Sequence, residues 1–405
     1  MRDDCPAHAA ELRVAPTPPA RRPMLLTLIV ASALSPLAIN IFLPSMASIA
    51  QDLQASSGQI GLGLSLFLAA TAIIQLVAGP LSDRYGRRPI ILAGMALFLV
   101  GTLMCIFAGD AAMFLAGRVV QAASATGIVL SRAIVRDLYA RDQAASMLGY
   151  VTMGFAVAPM FGPAIGGLLD DAFGWRAVFW MLGGIGVLTL GLLAFDLSET
   201  NKARGAPMGA QFRSYGLLLR TPAFWKFTGV AAFVSAAFFA FLGGAPFIAA
   251  QALGMTPAEY GLWFMLCALG YIAGNFITGR FSQRLGLKRM MIVGSAITGS
   301  ASALMLILFL GGWISPLTLF GPMMLVGFGN GLSVPTATAS SVSVRPEAAG
   351  AAAGLLGAFQ IGTGAVFSVT AAAFAYTPAI TALLMVVGGA IAVACALRAG
   401  RVEIS

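Results

Sequence analysis

GPLSDRYGRRP at residues 79–89 and GRFSQRLGLKR at residues 279–289 are one phrase written twice, 200 positions apart. Gly79, Ser82, Arg84 and Gly86 return as Gly279, Ser282, Arg284 and Gly286. The register holds outside the phrase: Gln51, Leu53, Gly61 and Leu62 return as Gln251, Leu253, Gly261 and Leu262. Gly154, Ala158 and Gly162 return as Gly354, Ala358 and Gly362. Three separated stretches in a single register mark an internal duplication. The chain is 59% hydrophobic and 10% charged. A soluble domain would carry about 25% charged residues. A duplicated chain this apolar is read as two membrane bundles facing each other across a pathway.

The apolar residues fall into twelve stretches of membrane-crossing length. These are 24–46, 58–79, 89–108, 112–134, 145–169, 175–197, 223–245, 258–279, 288–310, 316–338, 348–374 and 378–397. In lipid each must satisfy its own backbone, so each is a helix. The predicted fold is an all-α integral membrane protein of twelve transmembrane helices in two pseudo-symmetric six-helix bundles. Each bundle is expected to be built from inverted three-helix repeats. Residues 1–23 form a disordered cytoplasmic tail, 24–197 the first bundle and 198–222 a polar cytoplasmic linker. Residues 223–397 form the second bundle and 398–405 a short cytoplasmic tail. Arg213, Tyr215 and Leu217–Leu219 suit a short interfacial helix in the linker. RRPMLLTLIVASALSPLA has the look of a signal peptide, but the eleven further spans and the apolar continuation to Met46 favour an uncleaved first helix.

The net charge of +9 reports topology rather than a polyanionic partner. With the N-terminus in the cytoplasm, all 24 Lys and Arg residues except Arg118 and Arg176 fall in the tails or on the cytoplasmic side. The other side carries Asp52, Asp110, Asp170, Asp171 and Glu259. This positive-inside pattern puts both termini in the cytoplasm and gives no reason to expect nucleic acid. Cys5, Cys105, Cys267 and Cys395 have neither metal nor disulfide spacing. The single histidine, His8, leaves no His-based catalytic constellation, and the sequence has no P-loop. No enzyme, metal site or cofactor is expected.

Gly79 and Gly86 permit close approach and a tight turn between spans two and three. Arg84, Arg87 and Arg88 hold that turn at the anionic inner leaflet, and Asp83 is the one acid among them. GxLsDRxGRRP in this position resembles the signature of the major facilitator superfamily, and the resemblance covers essentially the whole chain. It implies that Asp83 faces the start of span eleven (Glu347–Gly350) and Arg132 or Arg136, latching the cytoplasmic side shut. The other reading is a basic turn that simply stays inside. Gln283 stands where the second copy would need an acid, so a charged latch is one-sided.

Span five carries Gly154, Ala158, Gly162 and Gly166 at four-residue spacing, a smooth stripe for close helix packing. Pro159 and Pro163 should bend it. APMFGPAIGG resembles the motif of the superfamily's antiporter branch, which implies a bend that prevents leakage. Span eleven repeats the stripe as Gly350, Gly354, Ala358 and Gly362, without the prolines. In span four, Arg118 has Gln121 one turn further on the same face. A charge there is costly and should face the bundle interior or water. GRVVQAASA resembles the family's span-four motif, which implies a role in coupling; hydrogen bonding to span-one carbonyls is the alternative. Its repeat mate is Thr318, so the charge belongs to one half.

No acid lies near the middle of any predicted span. ALSPLAINIFLPSM resembles the Bcr/CflA branch of drug exporters, where the position of Asn40 is commonly Asp. Asn40 cannot carry a proton, so any titrating acid sits at a span end, chiefly Asp52, Asp83, Asp137 or Asp196. A cavity with Arg118 and no carboxylate suits neutral, zwitterionic or anionic amphiphiles better than cations. Asn40, Gln75, Arg118, Gln121, Asn275, Asn330 and Gln360 are the polar groups expected along the pathway, since an unpaired amide in hydrocarbon is expensive. Phe238, Phe239, Phe241, Tyr271 and Phe328 offer aromatic surface, or ordinary packing. The resemblance implies proton-driven efflux of drugs or metabolites at a bacterial inner membrane, by a monomer with lipid and small-molecule partners. Uncoupled uniport or import is a second reading, and a ligand-binding membrane sensor a third.

Overall fold

A computed structural model describes residues 23–139, 141–201, 215–345 and 348–399. In the first half, α1 (Leu25–Asn40) leads to a short α2 (Met46–Asp52), then α3 (Ser57–Tyr85), α4 (Arg87–Ile106), α5 (Ala111–Gln121), α6 (Ala125–Leu138), α7 (Arg141–Phe173) and α8 (Arg176–Asp196). The second half holds α9 (Pro222–Leu253), α10 (Pro257–Leu285), α11 (Leu287–Leu310), α12 (Pro316–Ser343), α13 (Ala349–Ala373) and α14 (Pro378–Ala399). Among the described residues ten runs are long and apolar enough to cross a membrane, with α5 and α6 joined through the 3-10 turn Ala122–Ser124. The shorter apolar α1 and the long α7 bring the set to twelve. No strand occurs among the described residues. The result is an all-helical membrane fold.

The duplication has a physical cause at each end of its second span. Ser56 accepts from the Gln59 N–H at 3.2 Å while the Gln59 side chain accepts from the Ser56 N–H at 2.9 Å. Thr256 and Glu259 make the same reciprocal cap with the same two distances. Such a cap satisfies donors that the first helical turn leaves open. At the other end, Gly86 (φ 108°) and Gly286 (φ 79°) each donate to a serine carbonyl four residues back, Ser82 and Ser282, at 3.0 Å. A side chain is strained at such φ values, which is why glycine recurs there. The end of the molecule carrying Gly86 and Gly286 is the basic end. The end carrying the two capping boxes is the far end.

Span one departs from expectation. The apolar run predicts one helix over 24–46, but α1 stops at Asn40 and α2 begins at Met46. Pro44 has no N–H to continue the ladder. The chain turns instead, with the Leu43 N–H on the Asn40 carbonyl at 3.3 Å and the Ser45 N–H on the Phe42 carbonyl at 3.0 Å.

Within the first half α1 packs on α6 and α7, α3 on α5, and α4 on α5 and α8. Within the second, α9 packs on α12, α13 and α14, and α12 on α10 and α11. Two seams join the halves, α3 against α13 and α7 against α10. Both depend on missing side chains at the far end. A Cβ on Gly61 would fall inside the Ala372 methyl, and one on Gly167 would collide with the Pro257 carbonyl. Gln251 adds a hydrogen bond to Ser57 at 3.0 Å, and Asp171 accepts from the Ala258 N–H at 3.2 Å.

Gly58 faces Ala373 across the first seam. A Gly58→Cys, Ala373→Cys pair is therefore expected to close into a disulfide on mild oxidation. Adding Gly61→Val should slow that closure at least about tenfold, because the sulfurs need matched Cβ positions. Equal cross-linking with and without the valine, read on a denaturing gel after linker cleavage, would contradict a seam this close.

Candidate functional site

α5 carries Arg118 into the middle of the first bundle, where it is completely buried. Its Nη2 donates to the Ala38 carbonyl of α1 at 3.2 Å, and its Nε to the Gly63 carbonyl of α3 at 3.4 Å. Its Nη1 donates to Gln121 Oε1. Gln121 passes the chain on, donating to Thr102 of α4 at 2.9 Å. The guanidinium carbon lies 4.1 Å from the ring centre of Phe42 and 4.5 Å from that of Phe67. Among the described residues no acid forms an ion pair with it. Insertion scales put the cost of a central arginine at about 2.5–3.5 kcal/mol. A desolvated cation–π contact contributes about 2 kcal/mol. Two rings and three acceptors are enough to hold the charge. The structure thus places Arg118 on a span-one carbonyl, and both Arg118 and Gln121 lie inside the first bundle, away from its surface.

The amides divide into two kinds. Asn40, Asn275 and Asn330 each donate to a carbonyl four residues earlier in their own helix: Pro36 at 2.8 Å, Tyr271 at 2.8 Å and Val326 at 3.0 Å. Asn40 Oδ1 is buried without a partner. Gln75 and Gln360 reach other helices. Gln75 of α3 fills the space beside Gly357 on α13, so it sits in the seam between the halves. Gln360 of α13 donates to Ser235 of α9 at 2.6 Å. The structure brings Arg118 and Gln121 together, and Gln75 and Gln360 onto α13, but it does not gather all seven groups. Phe241 is buried with Phe264 and Phe320, at centroid distances of 6.4 and 5.8 Å. Phe238 and Phe239 lie edge-on at 6.1 Å, and Phe239 occupies the space beside Gly364.

On α7, Gly162 faces the Asn40 Cβ and Gly166 abuts the Ile41 carbonyl, so the small-residue stripe receives the broken end of span one. The Pro163 carbonyl abuts Gly261 of α10. The side chains of Gly154, Ala158 and Pro159 lie outside the described residues.

At the basic end, Arg87 is the hub. It pairs with Asp83 at 2.5 Å and with Asp137 of α6 at 3.0 Å, and donates to Ser82 Oγ at 2.5 Å. Ser82 in turn donates to the Gly79 carbonyl at 2.8 Å. Glu199 accepts from the backbone N–H groups of Arg87 at 2.9 Å and Arg88 at 3.3 Å, capping α4 where Gly86 has no side chain to do so. The Arg88 guanidinium donates to the Ala194 carbonyl at 2.9 Å, and that of Arg84 lies 5.4 Å from the Tyr85 ring. The resemblance implies an Asp83 that faces span eleven and Arg132 or Arg136. Here Asp83, near the end of α3, turns to Arg87, which opens α4 just past the Gly86 turn. The group against span eleven is Arg136, whose Nη1 lies 3.4 Å from the Cβ position of Gly350. Glu347 lies outside the described residues.

Phe42, Phe67 and Glu199 are neighbours of the candidate site that the sequence does not flag. Two phenylalanines in apolar helices carry no signal. The unfilled cap at Gly86, with an acid at the start of the linker, was a usable clue to Glu199.

Residues 28–253 and again 245–403 match the family model described as Major Facilitator Superfamily. The chain is 32% identical over 353 residues to the bicyclomycin resistance protein homolog of Haemophilus influenzae, covering 84% of this chain and 87% of that one. It is 29% identical to multidrug resistance protein D of Escherichia coli, over 92% and 94% of the two chains. In fold it is similar to the human organic anion transporter MFSD10, with a TM-score of 0.69 at 18% identity over 93% and 98% of the two chains. A duplicated helical fold, a buried span-four arginine and matches of this length converge on one conclusion: the chain belongs to the major facilitator superfamily and is a membrane transporter.

Proposed function

We propose that this protein exports small amphipathic drugs or metabolites across the bacterial inner membrane by alternating access, in exchange for protons. Both termini face the cytoplasm in this reading, which makes the basic end cytoplasmic. The observation that carries it is the character of the far-end seams. Glycine meets alanine and a backbone carbonyl there, with two hydrogen bonds beside them. An interface of this kind can part without breaking a dense polar network, which suits rigid-body rocking of one bundle against the other. The relatives named for bicyclomycin and multidrug resistance support drugs as cargo.

Arg118 without a carboxylate partner biases the interior against cations, so neutral, zwitterionic or anionic solutes are favoured. Gln75, Gln360 and the other amides supply polar contacts along the way. At the cytoplasmic end Arg87, Asp83 and Asp137 bind α3, α4 and α6 into one gate element, with Arg136 meeting the second bundle. One observation favours the second reading, uncoupled uniport or import: Asn40 stands where an acid would carry the proton.

Flux in proteoliposomes with an imposed pH gradient separates the two. A neutral amphenicol-like compound should move against its gradient while an organic cation does not. Movement indifferent to the pH gradient would overturn proton exchange. Saturable binding without flux would overturn transport altogether. Arg118→Ala should insert normally and abolish transport; a wild-type rate would remove Arg118 from the mechanism. In a double-mutant cycle on thermal unfolding, Arg118→Met and Phe67→Leu should couple by about 1–2 kcal/mol. Additive effects would contradict the stacked arrangement.

A further inference from the structure

Among the described residues Asp170 is the one buried acid, 8% exposed. It lies one residue beyond the apolar stretch 145–169, at the far end of α7. Its Oδ2 accepts from Ser48 Oγ at 2.9 Å. Ser48 belongs to α2, the short helix created by the break in span one, and it lines a cleft of about 190 Å³ between the halves. Pro44, Ala47 and Gln51 form one wall of that cleft, and Ala250 and Pro257 are on the other. The adjacent Asp171 reaches the other bundle through the Ala258 N–H. Asp170 is thus buried between α7 and α2, one hydrogen bond behind the wall of the cleft that the two halves enclose.

From this geometry we infer that Asp170 is a proton-binding site of the far-end gate, taking up one proton from the far side as the bundles close and giving it back as they part. The inference rests on the alternating-access part of the proposed function. Closing removes the carboxylate from water, which penalises its charged form. Burial pushes the Asp170 carboxyl up, against the opposing pull of the Ser48 hydroxyl, and the Asp171 charge adds to the push. The other charges at this end are engaged elsewhere. Asp52 of α2 pairs with Arg176 of α8 at 2.7 Å, and hydrogen bonds from Arg176 and Trp175 hold its carboxyl below the usual range. Glu259 of α10 caps its own helix, and the neighbouring Tyr260 hydroxyl is buried without a partner. A group bound more tightly by its proton in the closed form stabilises that form at low pH. The stabilisation is lost as pH rises through the closed-state value. In chemical terms the carboxylate gains an O–H bond from hydronium outside and returns the proton to water, with no other bond made or broken.

The full-length protein in oriented proteoliposomes tests this. Ala250→Cys, in the cleft wall, is labelled by an impermeant thiol reagent added from the far side. Rates are corrected for thiolate content with the exposed Gly109→Cys. Between about pH 8 and about pH 5 labelling should slow, by up to about tenfold for each pKa unit separating the open and closed forms. Asp170→Asn should abolish the pH dependence and leave labelling slow throughout. Ser48→Ala, which removes a donor to the ionised form, should move the transition to higher pH. A wild-type pH profile in Asp170→Asn, or no shift in Ser48→Ala, would overturn the inference. Labelling needs no cargo, so a protein lacking gradient-driven flux but keeping the Asp170 transition would sink proton exchange and uphold this site.

Discussion

Two helical bodies in lipid have no hydrophobic effect to press them together, so closeness of backbone approach decides whether they stay joined. The seams of this protein are built on that constraint. Gly61 admits Ala372, and Gly167 admits the Pro257 carbonyl. The contact is intimate, but it is made mostly of dispersion, each atom pair contributing little on its own. Few polar bonds must break for it to open. The same small residues that close the far end therefore make its closure reversible, and a transporter needs both.

Inside each bundle the opposite rule applies, because hydrocarbon leaves no alternative partner for a polar group. Arg118 is the sharpest case. Two rings, two backbone carbonyls and an amide surround it, and those partners come from α1, the turn that follows it, α3 and α5 together. The arginine thereby ties three helices of the first bundle at mid-depth. Arg87 does the same at the basic end with carboxylates, where water makes ionised partners affordable. Each bundle is stiffened by polar ties, and the bundles are joined mostly by apolar contact, with Gln75 and the Gln251–Ser57 and Ala258–Asp171 hydrogen bonds as the polar exceptions. In the proposed alternating-access cycle, that division puts the motion at the seams.

Much of this was legible in the sequence. The 200-residue register and the apolar run lengths gave the two halves and the helical class, because glycine at a positive φ and a reciprocal helix cap are written in residue types. The end of span one was not legible from apolar run length, since Leu43 and Met46 continue the run while Pro44 ends the helix. That break creates α2 and brings Ser48 to Asp170, so an acid that reads as a loop charge is buried in the fold. The amides were flagged by cost alone. Cost does not distinguish an Asn that bonds back to its own helix, as Asn275 and Asn330 do, from a Gln that bridges helices, as Gln360 does. The phenylalanines over Arg118 were invisible for a simpler reason: one ring in an apolar helix looks like any other.

Spin labels on repeat mates measure directly whether two stiff bundles rock about the seams that join them: positions 54 and 254 report on the far end, and positions 85 and 285 on the basic end. On adding a transported solute or changing pH, one distance should lengthen as the other shortens, with distances inside each bundle unchanged. Both distances moving together, or a change confined to distances within a bundle, would contradict rocking of one bundle against the other.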